Sequence, residues 1–158
     1  MASLKCSKCG YGIHYHGEAD GTQTILFREE VWNNLTYSDM IVSRYTLDGT
    51  NDYLTIWKCK ECESIYLFQG MTTKVFRAYQ LIHKNVILDD SVEKYIGFID
   101  IDWDIITEES IRGEEIFDKF PECKPLKVDI TEQYLIMYNS DEPSKPHKVY
   151  ERIEIEKV

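Results

Sequence analysis

Four of the five cysteines fall in two Cys-x-x-Cys pairs, Cys6 and Cys9 in LKCSKCGY and Cys59 and Cys62 in WKCKECES. The two-residue spacer curls the backbone until both sulfurs face one point, so each pair offers two soft ligands. A structural zinc ion takes four ligands in a tetrahedron, which makes each pair half of a site and the two together a complete one. Gly10, directly after Cys9, suits that curl because the position favours positive φ; Glu63 stands in the matching place after Cys62 and fits less readily. Four thiolates leave no open coordination position, so the expected metal is structural zinc and not a catalytic ion. A disulfide reading needs an oxidising compartment. A thioredoxin-like redox motif needs one pair at a helix N-terminus within a βαβ pattern, and both flanks here read as extended. Cys123, alone in PECKP, reads as a loop or edge thiol.

Other residues carry weaker chemistry. His14 and His16 alternate with apolar neighbours and read as the polar face of a strand, although either could substitute as a ligand. His16-Gly17-Glu18 followed by Cys59-x-x-Cys62 formally matches the zinc deaminase pattern. Lys58 stands where that pattern has Pro, and Cys6 and Cys9 would be left without a role. Asp100, Asp102 and Asp104 open like a calcium loop, but Ile105 and Ile111 occupy the positions that need Gly and Glu. As a strand, the three carboxylates stand about 6.7 Å apart on one face, too wide to chelate one ion and well spaced for a row of Lys or Arg, or for water. No nucleophile elbow, phosphate-binding loop or glycine-rich dinucleotide turn is present.

Charge is unevenly placed. The net charge is −10, and residues 89–118 hold eleven acids against Lys94 and Arg112, so one window carries nearly all of it. Such a block repels phosphate backbones and attracts basic surfaces. Lys5, Lys8, Lys58 and Lys60 surround the thiol pairs, with Trp57, Tyr11 and Tyr15 nearby, as on a nucleic-acid-binding tip. Eight bases meet nine acids over residues 1–79, however, so that part has no net positive field.

The positioning elements read mostly as strands: 22–27, 40–45, 53–57 running into the second thiol pair, 64–68 leaving it, and 95–105 with its alternating acids. Residues 73–82 fit both periods, and their β-branched and aromatic content favours a strand. Residues 29–35 suit one or two helical turns. A helix is expected near 108–120, opened by Thr107-Glu108-Glu109, striped by Ile116, Phe117 and Phe120 and closed by Pro121, with Gly113 able to split it. Residues 132–138 and 147–156 form a closing hairpin. We find no repeat, no low-complexity stretch and no linker. The expectation is one α+β, β-rich domain of 158 residues, with a zinc ribbon built into residues 1–70 and an acidic β-rich part over 71–158. No apolar run approaches membrane length and no leader pattern is present, so a cytoplasmic location is expected.

Residues 4–11 and 57–64 resemble zinc-ribbon knuckles, a resemblance specific for metal and nearly silent on role. The whole, small and acidic and without a catalytic signature, also resembles bacterial immunity proteins that neutralise polymorphic or contact-dependent toxins. That resemblance implies a protein-binding inhibitor and not an enzyme, with an acidic face for a basic, nuclease-type toxin. The partner-binding candidates are Asp100, Asp102, Asp104, Glu108, Glu109, Glu114 and Glu115, with Trp103 or Tyr95 as an anchor. A zinc-ribbon nucleic-acid-associated or regulatory factor is the alternative, and an enzyme of unrecognised type a second one.

Overall fold

Runs of β-branched and aromatic residues pack well on a pleated, half-buried surface, and among the described residues they supply ten strands. The computed structural model describes residues 3–6, 8–10, 12–14, 21–40, 53–59, 61–69, 75–88, 91–99, 106–138 and 146–154. The strands are β1 (Ser3–Lys5), β2 (Gly12–His14), β3 (Gly21–Arg28), β4 (Tyr53–Cys59), β5 (Ile65–Gln69), β6 (Val75–Ile82), β7 (Glu93–Ile99), β8 (Lys124–Ile130), β9 (Tyr134–Tyr138) and β10 (Pro146–Ile153). Strands β3 to β10 close into an antiparallel barrel in the spatial order β10-β6-β5-β4-β3-β7-β8-β9. Closure removes the free edges that an open sheet would present. Among the described residues β1 and β2 pair with each other alone, Ser3 opposite His14 and Lys5 opposite Gly12.

The barrel order has a simple origin. Two four-stranded meanders, β3–β6 and β7–β10, meet antiparallel at both seams, with Leu26 opposite Gly97 at one and Leu81 opposite Tyr150 at the other. The second meander thus repeats the first in topology, although the sequence shows no obvious repeat. One short stretch does match: Arg77-Ala78-Tyr79-Gln80-Leu81-Ile82 in β6 and Lys148-Val149-Tyr150-Glu151-Arg152-Ile153 in β10. Each stretch contributes its tyrosine to the interior cluster.

That cluster draws Leu26, Leu54, Ile56, Ile65, Leu67, Tyr79, Tyr95, Leu126, Val128, Ile130, Leu135 and Tyr150 from all eight barrel strands. The barrel is therefore filled by side chains. The Tyr79 hydroxyl donates to the Thr131 carbonyl at 2.8 Å, while the buried Tyr150 hydroxyl has no hydrogen-bond partner among the described residues. Two further clusters lie on the outer surface. One gathers Phe27, Trp32, Tyr37, Met40, Ile96, Ile106, Ile111, Ile116 and Cys123 beneath the helical segments. The other gathers Cys6, Trp57, Cys59, Tyr66, Phe68 and Ala78.

Three expectations are corrected. The class is mostly β and not α+β: among the described residues the helices are Glu29–Trp32, a turn at 37–40 and Gly113–Lys119. The helix expected near 108–120 starts only at Gly113, because the backbone before it is engaged elsewhere. Tyr37 N–H donates to the Ile111 carbonyl, Ser38 N–H to that of Glu109, and Thr36 bridges Arg112. Gly113 packs so closely that a Cβ there would lie 2.1 Å from the Trp32 carbonyl oxygen. Nor is there a self-contained zinc ribbon: the second thiol pair tips a barrel hairpin and the first belongs to the separate β1–β2 hairpin. Strand β8 went unread in the sequence, although Leu126, Val128 and Ile130 alternate inward. The strand expected at 40–45 and that at 100–105 lie outside the described residues, apart from Met40, which is helical.

Candidate metal centre

Each thiol pair sits on a tight turn with the same backbone design. Gly10 N–H donates to the Cys6 carbonyl at 2.9 Å, and Glu63 N–H to the Cys59 carbonyl at 3.0 Å. The residue closing each turn has positive φ, 79° at Gly10 and 63° at Glu63. The curl read from the spacing is therefore present twice, and the second copy is made by a residue that disfavours it. Lys148 donates a hydrogen bond to Glu63, and Lys58 lies 3.9 Å from the same carboxylate. These pairs tie the turn to β10 and β4.

The two turns bring four sulfurs together. Cys6 and Cys62 Sγ are 3.5 Å apart, Cys9 and Cys59 Sγ 3.7 Å, and all four lie within 4.8 Å of one another. A tetrahedron with metal–sulfur bonds of about 2.3 Å has edges of about 3.8 Å, whereas a disulfide needs about 2.05 Å between sulfurs. The separations fit four ligands around one ion, and all four cysteines are free thiols. In both of these contacts the first cysteine of one turn faces the second of the other. Cys6 and Cys59, the first of each pair, are buried, and Cys9 is exposed.

Hydrogen bonds surround the sulfurs. Burial alone would raise the Cys6 thiol, but the Tyr66 hydroxyl at 3.1 Å, the backbone N–H groups of Cys9 and Lys8 and the Cys62 thiol together bring it down to about 6. Burial pushes Cys59 up to about 12, opposed by the backbone N–H groups of Cys62 and Glu61 and reinforced by the neighbouring Cys9 and Cys62 thiols. Four thiols crowded together cannot all ionise without a cation; a divalent ion at their centre removes that obstacle. Ser64 Oγ lies 3.1 Å from Cys62 Sγ. Neither Tyr66 nor Ser64 stood out in the sequence, although both follow the second thiol pair at strand alternation.

The remaining site candidates fall elsewhere. Cys123 is 6% exposed and belongs to the cluster under the helices, so it is a core thiol at a bend and not an exposed one. His14 ends β2. His16, Glu18, Lys60, Trp103 and the acids Asp100, Asp102 and Asp104 lie outside the described residues. Glu108, Glu109 and Glu114 are exposed, and Glu115 partly so. Lys119 pairs with Glu108 at 3.4 Å and Glu115 at 3.7 Å, and Arg112 with Glu114 at 3.9 Å and Glu115 at 3.7 Å. Tyr95 is 3% exposed in the barrel interior, which removes it as a surface anchor. No described helix is long and apolar enough to cross a membrane.

Residues 2–85 match the family described as a domain of unknown function, DUF8617, and the chain belongs to that family. The matched span takes in both thiol pairs, the β1–β2 hairpin and the first meander, β3–β6. No curated protein and no solved structure matches the chain.

Proposed function

We propose that this is a non-catalytic binding protein, held in shape by structural zinc, that neutralises a basic, nuclease-type toxin as a cytoplasmic immunity protein. The observation that carries the non-catalytic part is the closed set of four sulfurs at tetrahedral spacing, which gives a substrate nowhere to coordinate. The class of partner follows from charge. Residues 106–119, beside the barrel, hold Glu108, Glu109, Glu114, Glu115 and Asp118 against Arg112 and Lys119, with most of these carboxylates exposed. Exposed carboxylates in excess steer a cationic surface into contact and work against a phosphate backbone. The nucleic-acid alternative is weaker than its sequence pattern, because Lys58 is turned to Glu63.

The test is to mix the protein with the nuclease domain of a toxin encoded by an adjoining gene and to follow association and nuclease activity. The expected result is an inhibited one-to-one complex. Its association slows at least about tenfold between low and high salt, and again when Glu108, Glu109, Glu114 and Glu115 are all changed to Gln. Absence of any complex would count against the proposal. So would affinity for DNA or RNA that Lys58→Ala removes.

A further inference from the structure

Ser64 immediately precedes β5 and Tyr66 is its second residue, so by alternation both side chains lie on the side of the sulfurs while Ile65 and Leu67 fill the barrel. From that face each reaches one sulfur, and the two sulfurs belong to different turns. Tyr66 Oη donates to Cys6 on the β1–β2 hairpin at 3.1 Å, and Ser64 Oγ lies 3.1 Å from Cys62 on the barrel hairpin. The Cys6 and Cys62 sulfurs are themselves 3.5 Å apart. Both hydroxyls are shut away from water, Ser64 at 0% and Tyr66 at 1% exposure. A metal-bound sulfur has lost its proton and can only accept, so with an ion in place both hydroxyls become donors to thiolates.

We infer that Tyr66 and Ser64 are positioning residues of the metal centre, aiming the Cys6 and Cys62 thiolates at the ion and raising the affinity of the site. The inference rests on reading the four cysteines as a metal centre. Tyr66 has the larger part, because its bond crosses from the barrel to the β1–β2 hairpin. Its ring is held against Trp57, with centroids 6.0 Å apart, so Tyr66→Phe keeps the packing and removes one proton donor. Removal of such an outer partner costs a metal site about 10–100-fold in affinity.

The experiment measures zinc affinity of the full chain by competition with a chromophoric chelator, and records the thiolate-to-metal charge-transfer band of the cobalt(II)-loaded protein. Hydrogen bonds to a thiolate lower its donor energy, so their loss moves that band to lower energy. The inference predicts about 10–100-fold weaker zinc binding for Tyr66→Phe, a smaller loss for Ser64→Ala, and a red-shifted band for each. Tyr79→Phe removes a buried hydroxyl of the barrel interior that bonds the Thr131 carbonyl and no sulfur, and should change neither reading. Affinities within twofold of the parent would overturn the inference, as would losses without a band shift, or an equal loss in Tyr79→Phe. If Tyr66→Phe does not fold, Ser64→Ala decides the matter by the same two readings. A parent chain that binds neither zinc nor cobalt would instead refute the metal centre itself, and the inference with it.

Discussion

Glu63 shows how single residues set this structure. Its φ of 63° places a branched-free but full side chain in the left-handed region, at a cost of about 1–2 kcal/mol that Gly10 avoids in the other turn. Its carboxylate meets Lys148 and Lys58, pairs whose members are 26–38% exposed and so contribute at most about 1 kcal/mol after screening. Glu63→Gly removes the strain and the pairs together, and its unfolding free energy in denaturant should stay within about 1 kcal/mol of the parent. Glu63→Val keeps the backbone conformation, adds a β-branch and loses the pairs, and should fall about 2 kcal/mol lower. Both variants lose the pairs, so a larger loss in Glu63→Gly than in Glu63→Val would mean that left-handed strain is not what this turn costs. At this scale the sequence was legible where chemistry imposes a spacing: Cys-x-x-Cys twice, with Gly10 behind one of them. The hydroxyls of Ser64 and Tyr66 carried no such signature, because what matters is which sulfur the strand aims them at.

Among the elements, the β1–β2 hairpin is held in an unusual way. Among the described residues it pairs with no barrel strand, and the barrel closes its hydrogen bonding without it. Its described links to the barrel include the sulfur cluster, the Tyr66 bond to Cys6 and the packing of Cys6 in the cluster with Trp57, Tyr66, Phe68 and Ala78. Chelation should therefore free residues 3–14 while β3–β10 stay folded. Hydrogen exchange would show protection lost over the hairpin and kept in the barrel, with Trp57, 4% exposed beneath the site, becoming more solvated. Cooperative loss of protection in both would show that the metal also holds the barrel together. The strands beside the thiols were legible because alternation and turn residues agree there. Strand β8 was not, since Pro121, Cys123 and Pro125 drew attention to a loop and away from the alternating Leu126, Val128 and Ile130. The helix was overextended for a physical reason as well. Glu108 and Glu109 suit a first helical turn, yet backbone pairing with residues 36–38 takes that segment, and Gly113 lies against Trp32.

On the scale of the whole molecule, barrel closure is a long-range fact that local periodicity cannot express: β3 meets β7 and β6 meets β10 only when both meanders are present. Four tyrosines on its strands carry a pH signature. Burial and then the Glu93 charge push Tyr95 up to about 12, and burial with the bond to Asp129 does the same for Tyr138; burial also raises Tyr79 and Tyr150. Phenols titrate near 10 in the unfolded chain. Above that pH the unfolded state releases protons that the folded state retains, so stability present below pH 10 is lost as pH rises towards 12. The thermal midpoint should fall over that range. A midpoint that stays constant through it would contradict a closed, filled barrel. The proposed metal centre stands or falls with an ion between the two turns. X-ray absorption on protein purified without chelator should find one zinc per chain, surrounded by four sulfurs at about 2.3 Å, and Cys59→Ser should lose it while Cys123→Ser keeps it. Metal-free protein, or zinc bound mainly by nitrogen and oxygen, would contradict it.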